Sequence, residues 1–336
     1  MARIDVTELD IFYISYDEPN AEEHWADLLN KVPWAKRIHG VKGFDAAHKA
    51  AAEQSETERF ITVDGDNIVM DDFFEQHLEI PDTDHDGNDI SQSIFSWNAK
   101  NLLNGLVYGN GGLKCWPTEY TKTIRTHEAT DDEEGMEFCW KLNYIQMNDI
   151  FSEVHQTASP FQAFRAGFRE GVKMSLDQGK RVAPDDFIRK IWYGNYNRLQ
   201  TWCNIGSDVE NGLWAIYGAR LGCDMTVLSD WNPNLIADYD WFKQFFYEDI
   251  MPRFPGEDQY CPRTKTHWNK DMLYIAIQDL GVKLNENINE MMLFDPTPQM
   301  CKFFKKTFVN PKRWGVMIRE KQIQDLLERG LIGPGN

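Results

Sequence analysis

The sequence predicts an α/β fold in which helices flank a sheet. Apolar, strand-like runs alternate with helical segments over the first 65 residues, and this alternation is typical of parallel strands covered by helices. The chain has 336 residues, of which 42% are hydrophobic and 13% aromatic, so it can bury a large core. We therefore expect one large domain, or one domain with a smaller lobe.

The first two predicted elements are a strand and a helix. Residues 9–16 form a continuous apolar run closed by the turn residues DEPN, which indicates a buried strand. Residues 20–30 follow as a helix, with Asn20 as its N-cap and acidic residues in its first turn. Its apolar positions recur at helical spacing: Trp25, Leu28 and Leu29.

The same order then repeats toward residue 65. Residues 35–41 predict a short strand, residues 43–54 an Ala-rich helix, and residues 59–63 a third strand. In parallel sheets of this kind, ligands bind beyond the carboxyl ends of the strands. We therefore expect a site in the loops that follow the first and third strands.

Two aspartates, Asp64 and Asp66, end the third predicted strand. Gly65 between them leaves room for a ligand to approach the backbone closely. Paired carboxylates can hold a hard divalent cation such as Mg²⁺ or Mn²⁺, which in turn neutralises a diphosphate. The position after three strands favours a metal site; the alternative is a polar turn in which the Asp side chains bond the backbone.

Charge and composition bear on the class of protein. The formal net charge is −18, whereas a protein that grips DNA over a wide face is normally basic. Residues 301–336 nevertheless hold eight Lys or Arg against three acids, which predicts a local basic face. The six cysteines include no Cys-x-x-Cys pair, so we expect reduced thiols and neither a zinc site nor a disulfide framework.

The sequence also predicts a cytoplasmic protein that makes no membrane contact. No apolar run approaches the roughly 20 residues that cross a bilayer, and the N-terminus lacks the apolar core of a signal peptide. No obligate protein partner is evident from the sequence.

Several short segments together resemble one family: ISYDEPNA (14–21), HGVKG (39–43), VDGD (63–66), VYGNGG (107–112) and WCNIG with GARLG (202–222). In this order they resemble the GT-A glycosyltransferases. The closer likeness is to the phage-encoded members that attach sugars, arabinose among them, to 5-hydroxymethylcytosine in viral DNA. Matching segments run from about residue 9 to about residue 243, while the rest of the C-terminal part matches nothing.

The resemblance implies a fold, a donor and an acceptor. The fold is a Rossmann-like mixed sheet flanked by helices, with a helix-rich C-terminal part. Residues 1–120 would bind the nucleotide sugar, residues 121–245 the acceptor, and residues 246–336 would form a helical extension. The donor would be a nucleoside diphosphate sugar, a UDP-sugar first of all, used with Mn²⁺ or Mg²⁺, and the acceptor would be hydroxymethylated DNA.

The resemblance also implies which side chains meet the nucleotide. Asp64 and Asp66 would hold the metal, with Asp64 also near the ribose. The loop after the first strand would supply Tyr16, Asp17 and Glu18, although a plain strand-ending turn fits these residues too. Uracil or phosphate contacts would come from Arg37, Lys42 and His48. His48 equally fits a core histidine on an Ala-rich helix.

The acceptor half carries two further expectations. Gly111 and Gly112 lie in a Gly-rich stretch that suits close backbone approaches, or alternatively a tight turn. Asp208 and Glu210 precede an apparent helix, where an acid often acts as general base in this family. The usual Glu-Asp pair is replaced here by SDVEN, so both acids remain candidates.

One predicted helix, within residues 159–176, carries a basic face. Arg165, Arg169 and Lys173 recur every four residues, so they share a side of the helix. They are candidates for DNA phosphate contacts, against the alternative of a solvated surface. Three tryptophans are expected in the core, against the alternative of base-stacking platforms: Trp192, Trp202 and Trp214.

The sequence thus predicts a metal-dependent glycosyltransferase acting on 5-hydroxymethylcytosine. A GT-A enzyme that modifies a protein or glycan, and a non-catalytic protein of the same fold, remain as alternatives. Neither the sugar nor the stereochemical outcome follows from the sequence.

Overall fold

The computed structural model describes residues 2–80, 82–84, 86–108, 111–125 and 143–308. It confirms the α/β class, since helices flank a curled mixed sheet. The basic C-terminal segment predicted over residues 301–336 lies largely outside the described residues. Among the helices of the described part, none combines the length and apolar character that a membrane-spanning segment needs.

The strands are β1 (Ala2–Asp5), β2 (Asp10–Ser15), β3 (Lys36–His39), β4 (Arg59–Asp64), β5 (Asn67–Val69), β6 (His77–Ile80), β7 (Ile94–Asn101), β8 (Leu113–Pro117), β9 (Tyr144–Val154), β10 (Leu176–Asp177), β11 (Lys180–Arg181), β12 (Gln259–Cys261) and β13 (Thr266–Trp268). The helices are α1 (Ala21–Lys31), α2 (Phe44–Gln54), α3 (Thr118–Thr121), α4 (Pro160–Met174), α5 (Phe187–Lys190), α6 (Tyr193–Asn204), α7 (Gly212–Leu228), α8 (Tyr239–Gln244), α9 (Lys270–Asn287) and α10 (Pro298–Phe308). Short 3₁₀ and π segments join several of them.

The main sheet has seven strands within the described residues, in the order β3-β2-β4-β8-β7-β9-β5. β3, β2 and β4 run parallel, as the strand-helix alternation predicts, and their connections are the helices α1 and α2. β8 is antiparallel to both β4 and β7, so β7 points the same way as β4. β9 is parallel to β7, and the carboxyl ends of β2, β4, β7 and β9 therefore meet at one edge.

The predicted N-terminal elements are confirmed within one or two residues, except for one detail of α1. Asn20 precedes the helix, but its side chain makes no capping hydrogen bond. Its amide instead donates to the carbonyl of His155 at 2.9 Å and accepts from Gln162 at 3.2 Å. The residue therefore ties the start of α1 to the loop after β9 and to the start of α4.

A hydrophobic core separate from the apolar residues of the sheet lies among the helices, where α4 packs closely against α7. A Cβ at Gly167 would lie 1.9 Å from the carbonyl oxygen of Ala215, and one at Gly171 would lie 2.2 Å from that of Ala219. The backbones of the two helices therefore touch, and this contact fixes the position of α4 against α7. Trp202 and Trp214 are buried in this core as predicted.

The prediction for Trp192 is wrong. Its side chain is 45% exposed, because it lies just before α6 at the surface of the helical part.

The main sheet also takes strands from both sides of residue 120, since β9 pairs with β7 and β5.

Candidate functional site

A cavity of about 290 Å³ opens at the edge of the sheet where the carboxyl ends of β2, β4, β7 and β9 meet. One wall is the sheet edge with its loops, and the other is α4 with Tyr239 of α8. Ten of the predicted site residues line this single cavity: Tyr16, Asp17, Glu18, Asp64, Asp66, Gly111, Gly112, Arg165, Arg169 and Lys173. Residues predicted for the donor and for the acceptor thus share one space.

The Asp64-Gly65-Asp66 turn is held from behind by α1 and β2. The Gly65 carbonyl oxygen lies 2.8 Å from the Tyr13 hydroxyl, which donates to it, and 3.1 Å from Nδ1 of His24. The backbone nitrogen of Asp64 donates to the carbonyl of Gly112 at 2.9 Å. These contacts leave both carboxylates on the cavity side of the turn.

Gly112 allows the close approach of β8 to this turn. A Cβ on Gly112 would lie 2.2 Å from the Asn67 amide nitrogen and 2.7 Å from the Cβ of Asp64. Any larger residue would displace Asn67 and Asp64. The predicted close backbone approach is therefore observed at Gly112, against the turn itself.

Two amide side chains fix the Asp66 carboxylate. Asn67 donates to its Oδ1 and Gln156 to its Oδ2, each at 2.8 Å. Gln156 comes from the loop after β9, so the two donors belong to different parts of the chain. The carboxylate is oriented on both sides before any ligand arrives.

Asp64 lies in a poorly solvated position beside other acids. Burial raises the pKa of its carboxyl to about 6, and the neighbouring charges of Asp66 and Glu18 act in the same direction. Lys114 opposes this shift, while its ammonium group donates to the carbonyl of Gly111 at 2.6 Å. An additional cation near the Asp64 carboxylate would offset the repulsion from these neighbouring acids.

Glu18 adds a third carboxylate to the same wall. Its Oε2 accepts from the backbone nitrogen of Tyr16 at 2.7 Å, and it packs on Gly65, whose missing Cβ would lie 2.8 Å from that oxygen. Burial raises the pKa of Glu18, and Asp66 raises it further. The side chain therefore experiences the same excess of negative charge as Asp64.

The opposite wall is basic and belongs to α4. The Arg165 guanidinium lies over the ring of Tyr239 at 5.0 Å, and among the described residues no oxygen accepts a hydrogen bond from it. Burial lowers its pKa, while Asp66 and Glu18 act to raise it. Its donors are thus available to a ligand in the cavity.

Arg169 and Lys173 continue the basic wall inward along α4. Arg169 donates to the carbonyl of Ile236 at 3.1 Å, and burial together with Arg165 lowers its pKa to about 9. Lys173 forms an ion pair with Glu170. All three predicted basic residues are partly buried, so the alternative of a solvated surface does not hold.

Tyr108, Glu170 and Trp202 form one end of the cavity, called the inner end below. Their side chains are joined by hydrogen bonds that the sequence did not suggest. The Tyr108 hydroxyl donates to Glu170 and accepts from Nε1 of Trp202 at 2.6 Å. Despite its burial, the pKa of Glu170 is lowered, because Lys173 and Tyr108 stabilise the anion. This end of the cavity is therefore a fixed polar surface with one ionised carboxylate.

The mouth of the cavity is closed on one side by α8. Asp17 accepts from the Lys243 ammonium group at 2.5 Å and from the Tyr239 hydroxyl at 3.2 Å. Tyr16 packs edge-on against Tyr239 with ring centroids 5.5 Å apart. The loop after β2 and α8 together offer aromatic surface at the entrance.

Three predicted nucleotide contacts lie away from the cavity. Arg37 forms a two-pronged ion pair with Glu22, at 2.7 and 3.0 Å. Lys42 pairs with Asp240 at the surface. His48 is buried between aromatic rings, where burial lowers its pKa to about 3 and its Nδ1 lies 2.8 Å from the carbonyl of Phe44. The core alternative is therefore correct for His48.

The predicted acids Asp208 and Glu210 do not line the cavity either. They lie at the corner between α6 and α7, which faces α10. Asp208 pairs there with Lys305 at 2.8 Å, and Glu210 is exposed.

The carboxylates fit a metal that is shared with a phosphate ligand. Among the described residues, no group of three or more His, Cys, Asp or Glu side chains is arranged to hold a metal ion alone. Mg²⁺ and Mn²⁺ are often bound through one or two carboxylates, with water and substrate phosphates completing the shell. Asp64 and Asp66 match that donor set, and the negative charges of Asp66 and Glu18 beside Asp64 would be offset by a bound cation.

No protein-family model matches the chain, and no curated protein matches it in sequence. The likeness to GT-A glycosyltransferases therefore stays a prediction from motifs.

Sequence reasoning missed several cavity residues: Asn67, Asn101, Tyr108, Gln156, Glu170, Trp202 and Tyr239. Asn101 and Gln156 could have been found, because each stands at the carboxyl end of a strand that points toward the site. Tyr239 could not have been found from the sequence, because nothing in the neighbouring residues indicates which element α8 packs against.

Proposed function

We propose that the chain is a metal-dependent glycosyltransferase that moves a sugar from a nucleoside diphosphate sugar, in the first place a UDP-sugar, to 5-hydroxymethylcytosine in DNA. The observation that supports this most is the cavity in which the Asp64-Gly65-Asp66 turn faces the basic side of α4. A diphosphate bound with a divalent cation needs carboxylates for the cation and arginines for the remaining phosphate charge. The two walls offer these groups across one space.

Each wall has its own task in this proposal. Asp64 and Asp66 would hold the cation, which supplies charge stabilisation to the leaving diphosphate. Arg165 would bind phosphate oxygens directly, because its guanidinium has no acceptor among the described residues. Gln156 and Asn67 keep Asp66 in position, so little reorganisation is needed on binding.

The entrance suits the nucleoside. Tyr16 and Tyr239 present aromatic surface beside Asp17, next to the loop that follows β2. A uracil ring can pack on such a surface while its ribose lies near Asp64. The sugar would then point toward the inner end, where Tyr108 and Glu170 lie.

The DNA acceptor rests on the likeness to phage enzymes and on the local basic segments of an otherwise acidic chain. We expect a short contact with DNA, because a net charge of −18 opposes a long one. Transfer to a protein or glycan would use the same donor site.

The test is incubation with a panel of nucleotide sugars and Mn²⁺, together with hydroxymethylated or unmodified DNA, followed by mass analysis of the nucleosides. We expect one sugar to appear on 5-hydroxymethylcytosine only. Asp66→Ala is the inactive control, and Asp271→Ala, at an exposed position in α9, is the matched active control. Donor hydrolysis without transfer to any DNA would exclude the DNA acceptor, and absence of nucleotide-sugar binding would exclude the transferase.

A further inference from the structure

Trp192 is an exposed tryptophan that the fold nevertheless holds in place. Its side chain is 45% exposed. The backbone of Gly194 lies against the indole, because a Cβ on Gly194 would be 2.4 Å from two ring carbons. Ring centroids of Trp192 and Tyr193 are 5.3 Å apart. The indole is therefore a preformed apolar surface in contact with solvent.

This surface connects directly to the cavity. The guanidinium carbon of Arg198 lies 5.2 Å from the Trp192 ring centroid and 4.5 Å from that of Tyr108. Tyr108 is part of the inner end of the cavity and is fixed there by Trp202 and Glu170. A continuous stack of ring, guanidinium and ring thus runs from the cavity wall to the exterior.

The segment of the chain that carries Trp192 is basic in a strongly acidic protein. Residues 180–198 contain five Lys or Arg against two Asp, a net charge of +3, whereas the whole chain carries −18. Arg189 and Lys190 share Asp186 as their ion-pair partner, so this pair of cations exceeds its counter-charge. Aromatic rings combined with local positive charge are typical of surfaces that bind single-stranded nucleic acid.

We propose that Trp192, backed by Arg198, is a stacking platform for a nucleobase next to a nucleotide that approaches the cavity from its Tyr108 end. The inference rests on the proposed function, because it assigns a second contact to the same nucleic-acid acceptor. A neighbouring base would lie on the exposed indole while its backbone phosphates face the basic segment of residues 180–198. The platform would keep the strand from sliding while one base is inside.

The test measures binding of a short single-stranded oligonucleotide with one 5-hydroxymethylcytosine to wild type, Trp192→Ala and Trp192→Phe. Each variant is also measured with oligonucleotides in which one base beside the modified cytosine is replaced by an abasic unit. We expect Trp192→Ala to bind roughly tenfold more weakly and Trp192→Phe to retain most of the affinity, since stacking requires only an aromatic face. Trp34→Ala is the matched control: Trp34 is 51% exposed but lies just before the amino end of β3, an edge strand of the main sheet.

The abasic series gives the sharper result. One abasic position should weaken binding to wild type by the same factor as Trp192→Ala and should have no further effect on that variant. Independent, multiplying losses would overturn the platform, as would wild-type affinity in Trp192→Ala. If wild type binds UDP-sugar but no oligonucleotide, the DNA acceptor and the platform both fail. If wild type glycosylates DNA and Trp192→Ala does so with unchanged affinity, only the platform fails.

Discussion

Asp64 and Asp66 are two residues apart, yet the fold treats them differently. Asp66 accepts hydrogen bonds from two amides, whereas Asp64 is the acid whose pKa burial raises to about 6. Asp66 is thus an oriented carboxylate, whereas Asp64 is a carboxylate in a poorly solvated position. We therefore expect substitutions of Asp64 and of Asp66 to have different effects on activity and stability.

Asp66→Ala should lower turnover by several orders of magnitude while the fold survives. The substitution removes the oriented carboxylate, and with it the charge stabilisation of the leaving diphosphate. Its cost to stability should be about 1–2 kcal/mol, because the amides of Asn67 and Gln156 lose their acceptor next to a solvated cavity. Steady-state kinetics at saturating Mn²⁺ and thermal unfolding measure the two effects; near-normal turnover would contradict the metal assignment.

Asp64→Asn should stabilise the protein without ligand at neutral pH. The pKa of Asp64 is about 6 in the fold against an ordinary value of 3.8, so the neutral form favours folding. That stability is present below about pH 4 and is lost as the pH rises through 6. The neutral amide of Asp64→Asn keeps this stability at high pH. The variant should therefore be more stable than wild type by up to about 3 kcal/mol at pH 8.

Thermal unfolding with a chelator, at pH 4 and pH 8, tests this. The melting temperature of Asp64→Asn should exceed that of wild type at pH 8 and equal it at pH 4. Asp66→Asn is the control and should gain nothing, because it exchanges an acceptor of two hydrogen bonds for an amide. A gain for Asp64→Asn that is the same at both pH values would show that burial of its charge is not the cause.

Arg165→Ala should weaken the use of the UDP-sugar donor more than the binding of DNA. The sequence alone suggested phosphate contacts with DNA, but the side chain lines the cavity opposite Asp66 and Glu18. Loss of a charge-assisted contact should raise the KM for the UDP-sugar by tenfold or more, at roughly 1.5–3 kcal/mol. Arg263→Ala, which removes a surface ion pair with Glu23, is the control. A flatter salt dependence of DNA binding with unchanged KM would restore the earlier assignment.

At the scale of elements, the crossing of α4 and α7 decides where the basic wall stands. Gly171 to Ala in a helix normally stabilises by about 1 kcal/mol through propensity. Here the new methyl would meet the Ala219 carbonyl oxygen at 2.2 Å, so the helices must separate. We expect Gly171→Ala to destabilise by about 2 kcal/mol or more. The sign of the change in unfolding free energy distinguishes packing from propensity, and stabilisation would refute the close crossing.

The elements also show how far sequence reasoning reaches. The strands and helices up to residue 64 were predicted because apolar runs and turn residues mark them locally, and the rule of carboxyl ends then located Asp64 and Asp66. Asp208 does not line the cavity, because its helix corner turns toward Lys305 of α10, more than ninety residues later in the chain. Such a partner is decided by packing among helices, for which periodicity gives a face but not a neighbour.

At the scale of the whole molecule, one cavity brings together residues from position 16 to position 239. A cavity of about 290 Å³ is of the size that small-molecule sites have, and it is too small to enclose a duplex. The proposed nucleic-acid acceptor would therefore reach the cavity one nucleotide at a time. In a protein of net charge −18, long contacts that would bend or open a duplex receive little electrostatic support.

The last prediction follows from this geometry. An enzyme of this shape should take 5-hydroxymethylcytosine out of the base stack, at a cost of a few kcal/mol in a paired duplex. Mismatched or single-stranded sites should be glycosylated at least as fast as paired ones, because the cost of unpairing is already met. Initial rates on oligonucleotides that differ only in the opposing strand test this, with matched length and salt. A strict requirement for perfectly paired duplex would mean that the base reacts within the helix, and the cavity at the carboxyl edge of the sheet would then not be where the acceptor binds.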